Sequence, residues 1–427
     1  MTTIVISAYG TRGDVAPLTG LGTRLRDSLS AHVVIAAQHP YAQLVRASGL
    51  EFRLLPGDTE TATRDSQHGQ ALVDGARMRP SGAALAEMRA GLVGVGEAMA
   101  STAHDADLLL AEGPVGTLLG YHVAAALGIP SAGLALQPAC PTGEFAPPPL
   151  TIRSFGGYGN RLIWRLAQSG ERIYTPLIND LRRHLGLAPA SLRRYHGVRA
   201  NSWPVVHGYS RHVVARPRDW PAHWHQTGYW WPAPDETWLP PTELDEFLKN
   251  GPAPVFFGFG STATSRGPEL SEIIATATHT AGVRAVVQRG WAGLAGLSDD
   301  VLTIDDLPHS WLFPRMAAVV HHCGAGTAAA ALRAGVPSVP VPGIMDQPFW
   351  AARLSQAGAA TTPLPRVSLQ AEELSASITQ AITESRYRQE AQRLSRLIND
   401  EDGIGSAVKI IAAMLDATTM KGAHHGY

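Results

Sequence analysis

Short apolar runs alternate with stretches of helical periodicity along this chain, and that alternation restricts its possible folds more than any other feature. The first run, Thr3–Ala8, has the composition of a buried strand. After the turn Gly10–Asp14, apolar residues recur every three or four positions from Val15 to Leu29, which predicts a helix. Strands joined by helices form parallel sheets, so the pattern predicts a doubly wound α/β unit. Further strands are predicted at His32–Ala37, Asp107–Ala111 and Ser131–Leu136, and helices at Ala42–Ser48 and Gly116–Leu127.

The alternation restarts in the second half, after an irregular region from about Pro138 to Asp219. A chain of 427 residues exceeds one ordinary core, which favours two domains. The proline-rich stretch 232–241 has the composition of a stiff linker. Beyond it, strands are predicted at Pro254–Phe257, Arg284–Gln288, Val301–Ile304, Ala317–His321 and Ser338–Val341, and helices at Pro268–Ala281, Trp311–Met316, Thr327–Ala334, Ala371–Asp400 and Ser406–Asp416.

We therefore predict two doubly wound, Rossmann-like domains that face each other across a cleft at the carboxyl edges of their sheets. The predicted boundaries are 1–231 for the N-terminal domain, 232–241 for the linker and 242–400 for the C-terminal domain. A closing helix over 401–419 is expected to pack back on the N-terminal domain, and residues 420–427 to form a disordered tail.

Charge and cysteine content exclude several classes of function. The 35 basic and 36 acidic residues balance, so no bulk field attracts nucleic acid. The two cysteines, Cys140 and Cys323, lack metal or redox spacing, which favours a reducing compartment. Neither a signal peptide nor an apolar run of about 18 residues is visible, so we expect a cytoplasmic protein without an integral membrane segment. A contact with a membrane surface stays open, and the oligomeric state is not readable from the sequence.

The loop after the predicted strand Ala317–His321 carries the strongest chemical signal. The strand is followed by His322, by Gly324 and Gly326, which allow a close turn, and by a helix-forming run. A helix N-terminus presents free N–H groups and a positive dipole end to an anion such as phosphate, and the Thr327 hydroxyl adds a donor. A glycine turn around a structural histidine is the simpler alternative. Zinc is disfavoured, because neighbouring strand residues point to opposite faces and no fourth ligand is nearby.

An acid and an amide, Asp346 and Gln347, follow the next predicted strand and a proline turn. Such a pair suits vicinal hydroxyls, so the sequence favours a sugar contact here. A simple helix N-cap role for Asp346 is the alternative.

The stretch Gly258–Ala263 matches the G-x-G-x-x-A pattern of dinucleotide-binding folds. That fold also uses an acid about 20 residues further on, at the end of the next strand. No acid lies between Glu272 and Asp299, so a dehydrogenase is disfavoured.

A carboxylate, Asp14, lies at the start of the first predicted helix and faces the predicted cleft. A carboxylate there could take the proton of an incoming hydroxyl, a contribution of roughly 10²–10⁴ in rate. An acid in a first helical turn is also favourable on dipole grounds alone, which is the alternative explanation.

Four stretches together resemble the nucleotide-sugar-dependent glycosyltransferases of the GT-B architecture in the UDP-glycosyltransferase family. Within them, the chain resembles the branch of the sterol glucosyltransferases and of the bacterial transferases that decorate glycopeptide and polyketide antibiotics. The resemblance spans nearly the whole chain. Gly10–Pro17 is similar to G-S/T-R-G-D-x-x-P, Pro254–Ser261 to P-V-x-x-x-F-G-S, Leu307–Pro314 to P-H-x-W-L-F-P, and His321–Thr327 to H-H-G-G-A-G-T.

The resemblance implies that the C-terminal domain holds the nucleotide sugar and that Asp14 is the catalytic base, where many relatives carry histidine. Cys323 replaces the glycine usual in this branch and should keep the turn. The implied donor-binding residues are Ser261, His322, Gly324, Gly326 and Thr327 at the diphosphate, the backbone at Leu307 and His309 at the base, Asp346 and Gln347 at the sugar, and Arg12.

The acceptor is expected in the N-terminal half of the cleft, with Gln137, Thr142 and Phe145 as contacts beside the segment Pro147–Arg183. An apolar, aromatic-lined pocket suits a flat or greasy molecule. Most of the Trp-rich segment Trp220–Trp238 is expected to pack at the hinge instead.

The implied reaction is an inverting, metal-independent transfer of a hexose or deoxyhexose from a UDP- or TDP-sugar to a hydroxyl of a polyketide, macrolide, sterol or terpenoid. No cofactor beyond this co-substrate is implied. A nucleotide-sugar epimerase or phosphorylase on the same two-domain plan is the alternative, followed by a non-catalytic binding protein.

Overall fold

The computed structural model describes residues 1–59, 61, 82–260, 266–298 and 300–423, with the backbone alone for 82–87 and 418–423. In these residues it contains two fully parallel sheets, the first of seven strands and the second of five. The predicted class, two doubly wound α/β domains, is confirmed.

The N-terminal domain contains the seven-stranded sheet and the helices that cover it. Its central strands are buried on both faces, which explains their continuous apolar sequences. Its elements in chain order are β1 (Thr3–Ala8), α1 (Arg12–Leu29), β2 (His32–Gln38), α2 (Ala42–Ala47), β3 (Glu51–Leu55), α3 (Gly82–Thr102), β4 (Leu108–Glu112), α4 (Gly113–Leu127), β5 (Ser131–Ala135), α5 (Gly156–Gly170), α6 (Thr175–His184), α7 (Leu192–Asn201), β6 (Val205–His207) and β7 (Trp224–Gln226).

The C-terminal domain contains the five-stranded sheet. No helix or strand occupies 232–241, the predicted linker, which the structure describes in full. The elements that follow are α8 (Thr242–Lys249), β8 (Val255–Gly258), α9 (Gly267–Ala281), β9 (Ala285–Gln288), β10 (Val301–Ile304), α10 (His309–Leu312), β11 (Ala318–His321), α11 (Ala325–Ala334), β12 (Ser338–Pro340), α12 (Gln347–Gln356), α13 (Ala371–Thr383), α14 (Ser385–Asn399) and α15 (Gly403–Ala423).

The last helix, α15, returns from the C-terminal domain to the N-terminal one. Its buried residues Ala407, Val408 and Ile411 join the core cluster that contains Leu18 and Leu21 of α1. The helix continues to Ala423 and so includes the first four residues of the predicted tail, 420–423. Residues 424–427 lie outside the described part of the chain.

A second buried cluster crosses between the domains. It joins Trp203, Tyr209 and Trp224 of the N-terminal domain to Phe349 and Trp350 of the C-terminal domain. These aromatic residues therefore pack at the junction of the domains, next to the cleft.

Candidate active site

The carboxyl edges of the two sheets face one cleft. In each sheet, the side on which the chain adds its next strand reverses once. The reversal lies between β1 and β4 in the first sheet and between β8 and β11 in the second. Ligands of doubly wound sheets bind at such switch points. The cleft has a volume of about 2850 Å³ and is lined by both domains. Pockets for one small ligand hold roughly 300–1,000 Å³, so this cleft has room for two substrates.

Asp14 lies at the cleft in the first turn of α1 and is half-buried. The N–H and Oγ1–H of Thr11 donate to Asp14 Oδ2 at 2.6 and 3.1 Å, and no described residue donates to Oδ1. A Cβ at position 10 would lie 2.2 Å from Oδ2, so Gly10 gives the carboxylate its space. Burial raises the pKa of Asp14, while the hydrogen bonds from Thr11 oppose that rise. The site thus holds a partly desolvated carboxylate with one oxygen still available.

Glu112 is a candidate that the sequence analysis missed. It ends β4 in register with Ala8 of β1, lines the cleft and is 2% exposed. Its Oε2 has no hydrogen-bond partner among the described residues. Burial, followed by the charge of Asp14, raises the pKa of Glu112 well above its ordinary value. The only signal in the sequence was an acid at the end of an apolar run. That signal points to the cleft only once β4 is known to pair with β1.

The loop after β11 holds two histidines in different environments. His321 is fully buried and its Nδ1 accepts the Cys323 N–H at 3.1 Å, which fixes the turn. His322 lines the cleft between Gly260 and Gly324, where added Cβ atoms would come within 2.8 and 2.5 Å of its ring. Burial lowers the pKa of His322 to about 4, although a hydrogen bond with the Gly258 backbone opposes the shift, so the ring is uncharged at neutral pH.

Cys323 keeps the turn by adopting the left-handed conformation, with φ of 63°. Its side chain is fully buried, and Sγ donates to the His321 carbonyl at 3.6 Å. Burial raises the pKa of the thiol, which therefore stays protonated. Among the described residues, no group of three or more His, Cys, Asp or Glu side chains is arranged to hold a metal ion.

Helix α11 begins directly after this turn, with Gly324 as its N-cap residue. The Ala328 N–H already bonds to the Gly324 carbonyl at 2.9 Å, whereas N–H groups earlier in a helix lack such partners. Gly326 and Thr327 also line the cleft, and no atom lies within 4 Å of a Cβ added at Gly326. The helix N-terminus therefore meets open space with the geometry of an anion site.

Asp346 and Gln347 line the same cleft at the start of α12. Asp346 occupies the N-cap position but makes no side-chain capping bond, and its Oδ2 instead accepts the Trp350 Nε1–H at 2.8 Å. Burial raises the pKa of Asp346 to about 6, and the charge of Asp14, which lines the same cleft, adds to the rise. Gln347 Oε1 accepts the Gly343 N–H at 2.8 Å, which leaves its amide N–H groups as donors.

Three further predicted donor residues line the cleft. The Arg12 Nε lies 3.0 Å from Oδ2 of Asp306, an ion pair that joins the two domains. The His309 ring stacks on Phe313 with centroids 4.3 Å apart, and burial lowers its pKa to about 4. Leu307 is buried beside it. Ser261 lies outside the described residues.

Of the three predicted acceptor residues, only Gln137 lines the cleft. Its Oε1 is buried without a partner among the described residues. Thr142 and Phe145, the other two predicted acceptor residues, do not line the cleft and instead contact other residues of the protein. Thr142 Oγ1 donates to Asp219 Oδ1 at 2.6 Å, and the Phe145 ring packs 5.6 Å from that of Phe349.

The rest of the acceptor half of the cleft is mainly apolar. Its polar residues include Glu171 and Arg199, and the Nε of Arg199 is buried without a partner in the described part of the chain. The expected segment contributes Pro147, Pro149, Leu150, Trp164, Ala167 and Tyr174 to the apolar lining.

Comparison with known proteins shows the family of this chain. The family model of the erythromycin biosynthesis protein CIII-like C-terminal domain matches residues 272–402. The chain is 34% identical over 433 residues to the O-mycaminosyltylonolide 6-deoxyallosyltransferase of Streptomyces fradiae, across 97% of this chain and 98% of that protein. The chain belongs to the family of the antibiotic and sterol glycosyltransferases.

Other members of this glycosyltransferase family extend the comparison. A sterol 3-beta-glucosyltransferase of Arabidopsis thaliana is 33% identical over 429 residues, which cover 95% of this chain and 64% of that protein, so the chain spans less than two thirds of it. The crystal structure of the glycosyltransferase VinC in complex with dTDP has the same fold, with a TM-score of 0.66, 18% identity, and 97% and 100% of the two chains covered. None of the described helices is both long and apolar enough to cross a bilayer.

Proposed function

We propose that this family member transfers a hexose or deoxyhexose from a UDP- or TDP-sugar to a hydroxyl of a lipophilic small molecule, with inversion and without a metal ion. The observation that carries the proposal is that Asp14, Asp346 and the N-terminus of α11 line one cleft between the domains. A base for the acceptor, a holder for the sugar and an anion site are thereby supplied by facing domains.

Asp14 is proposed to take the proton of the acceptor hydroxyl. In its pair with Glu112, the first negative charge belongs on Asp14, because the Thr11 N–H and O–H stabilise a carboxylate there. Glu112 has no such donor at its buried Oε2 and stays protonated. Burial gives the Asp14 carboxylate a raised pKa, closer to neutral pH than that of an exposed aspartate.

The leaving nucleoside diphosphate is proposed to bind at the N-terminus of α11. Negative charge grows on the diphosphate as the glycosidic bond breaks, so the helix dipole, the free N–H groups and the neutral His322 stabilise the transition state more than the ground state. Asp346 and Gln347 are proposed to hold the sugar hydroxyls. An in-line attack by the acceptor from the Asp14 side inverts the anomeric carbon.

The acceptor class follows from the apolar lining around Trp164 and Leu150. A macrolide, another polyketide, a sterol or a terpenoid fits such a surface, in agreement with the substrates named for the Streptomyces and Arabidopsis relatives. The dTDP bound to VinC supports a thymidine donor, and the Arabidopsis relative is a glucosyltransferase, so donors of both nucleotides need testing.

A panel of UDP- and TDP-sugars assayed against macrolactone, aromatic polyketide and sterol acceptors tests the proposal. We expect a product heavier by one sugar residue, a β-linkage from an α-linked donor by NMR, and unchanged rates in EDTA. Retention of configuration would refute inversion, and a loss of rate in EDTA would refute metal independence. Each donor is also incubated alone, and a new nucleotide sugar in that control would identify an epimerase instead.

A further inference from the structure

An apolar patch covers the outer face of α5 and its flanking residues. The patch, called here the α5 patch, includes seven of the fifteen large apolar side chains that are exposed among the described residues. Single exposed apolar residues are ordinary, but seven within 24 positions mark an interaction surface. Its members, each more than half exposed, are Leu150, Ile152, Phe155, Tyr158, Leu162, Leu166 and Ile173.

The packing of α5 within the chain does not use this face. Tyr158, Leu162 and Leu166 are spaced by four residues and therefore form one stripe along the helix. The opposite face holds the buried Asn160 and Trp164, whose Nε1–H donates to the Phe145 carbonyl at 2.9 Å. A surface helix normally shows a polar outer face, so a partner for the apolar stripe is implied.

The charge around the patch selects the partner. No acidic residue occurs from 145 to 170, whereas Arg153 and Arg165 are exposed there and Arg172 follows. Two adjoining acids are paired with basic side chains, since Glu171 lies 3.3 Å from His196 and Asp219 is paired with Arg161 of α5 at 2.8 Å. Apolar and aromatic side chains flanked by arginines match the interface of an anionic bilayer. A second copy of this chain would bring like charges together.

The patch is continuous with the acceptor half of the cleft. Leu150 belongs to both, and the inner side of the same helix lines the cleft with Trp164 and Ala167. We propose that the α5 patch docks on the surface of an anionic lipid bilayer and places the acceptor entrance at the lipid boundary. The docking itself goes beyond the proposed function. Only the use of the bilayer as a source of lipophilic acceptor rests on the proposed function.

Flotation of the full chain with vesicles, in the absence of donor, tests the docking. We expect binding to phosphatidylcholine vesicles containing phosphatidylglycerol to exceed binding to pure phosphatidylcholine at least tenfold. Leu162→Gln with Leu166→Gln should reduce it at least tenfold, and Arg165→Gln with Arg172→Gln should remove the preference for the anionic lipid. Leu239→Gln with Leu297→Gln, which changes exposed leucines outside the patch, is the matched control and should bind as the wild type does.

Thermal unfolding confirms that each variant is folded, and turnover of a water-soluble acceptor without vesicles should stay within twofold. Failure of the wild-type chain to bind either vesicle, or equal binding by the Leu162/Leu166 variant, would overturn the proposal. The proposal would also be overturned if light scattering showed that the wild type is a dimer, that the Leu162/Leu166 variant is a monomer, and that vesicles leave the wild-type dimer intact. Vesicle binding without sugar transfer would refute the proposed function alone, and transfer without vesicle binding would refute the docking alone.

Discussion

At the scale of single residues, three carboxyl groups at the centre of the cleft differ in their surroundings. Asp14 receives two hydrogen bonds from one threonine, Asp346 receives one from an indole, and Glu112 Oε2 receives none from the described residues. Burial raises the pKa of all three, and Asp14 adds to the rise of the other two. The hydrogen bonds therefore decide which group carries charge at neutral pH.

Asp14→Asn should lower kcat by about 10²–10⁴ while the dissociation constant of the donor changes by less than about threefold. The asparagine oxygen still accepts the Thr11 N–H, so the turn persists, but the amide cannot take a proton. Rapid-quench turnover and calorimetric titration with UDP and TDP measure the two quantities. Asp305→Asn, at an 84% exposed rim acid, is the control. A variant that keeps most of its kcat with intact donor binding would show that Asp14 is only a capping acid.

Glu112→Gln should leave kcat/KM at pH 7 within about threefold, because glutamine has the shape of a protonated glutamate. The folded-state pKa of Glu112 is raised, so the folded state binds its proton more tightly than the unfolded state does. That contribution to stability is complete below the unfolded value of about 4.3 and is lost as the pH rises through the folded pKa.

The variant should therefore lose less stability than the wild type between pH 5 and pH 8 in thermal melts. Activity that collapses in Glu112→Gln, with parallel melting curves for the two proteins, would mean that Glu112 is ionised in the active enzyme.

At the scale of elements, the start of α11 allows an effect on folding stability to be distinguished from an effect on ligand binding. Gly326 is helical, and an added methyl group there meets no protein atom within 4 Å, yet the residue lines the cleft. The open space is therefore available to a ligand rather than required by the fold.

Gly326→Ala should raise the free energy of unfolding by about 0.5 kcal/mol, because alanine has the higher helix propensity. It should at the same time weaken UDP and TDP binding at least tenfold, since the methyl group occupies the anion site. Gly94→Ala in α3, another helical glycine with open space but outside the cleft, is the control and should affect stability only. Unchanged nucleotide affinity in Gly326→Ala would move the diphosphate away from this helix.

The sequence predicted the helices, strands and loops that depend mainly on residues close together in the chain. β1 was placed correctly to the residue, and the turn into α11 was identified from its glycines. The edge strand β3 was missed because Glu51 and Arg53 interrupt its apolar pattern. The hydrogen bond of Thr142 to Asp219 could not be predicted, because the two residues are 77 positions apart. Glu112 needs the pairing of β1 with β4, which no local pattern contains.

At the scale of the whole molecule, two buried apolar contacts tie the domains that form the cleft. One is the aromatic cluster around Trp224 and Trp350, and the other is α15, which crosses from the C-terminal domain onto α1. A cleft that binds two substrates needs its two domains in a fixed relative position, so these contacts maintain the geometry that the site residues require. Their contribution is measurable through α15, because that helix adds no residue to the central carboxyl groups or the anion site.

Ile411→Ala should destabilise the protein by about 2–4 kcal/mol, since the side chain is fully buried and its loss leaves a cavity between α15 and α1. Ile382→Ala removes the same atoms from a site that is 38% exposed on the C-terminal domain, and should cost less than about 1 kcal/mol. Urea unfolding followed by tryptophan fluorescence compares the two variants. If α15 couples the domains, Ile411→Ala also separates the single transition into two, because the N-terminal domain then unfolds first. Equal costs in the two variants, each with one transition, would show that α15 does not hold the domains together.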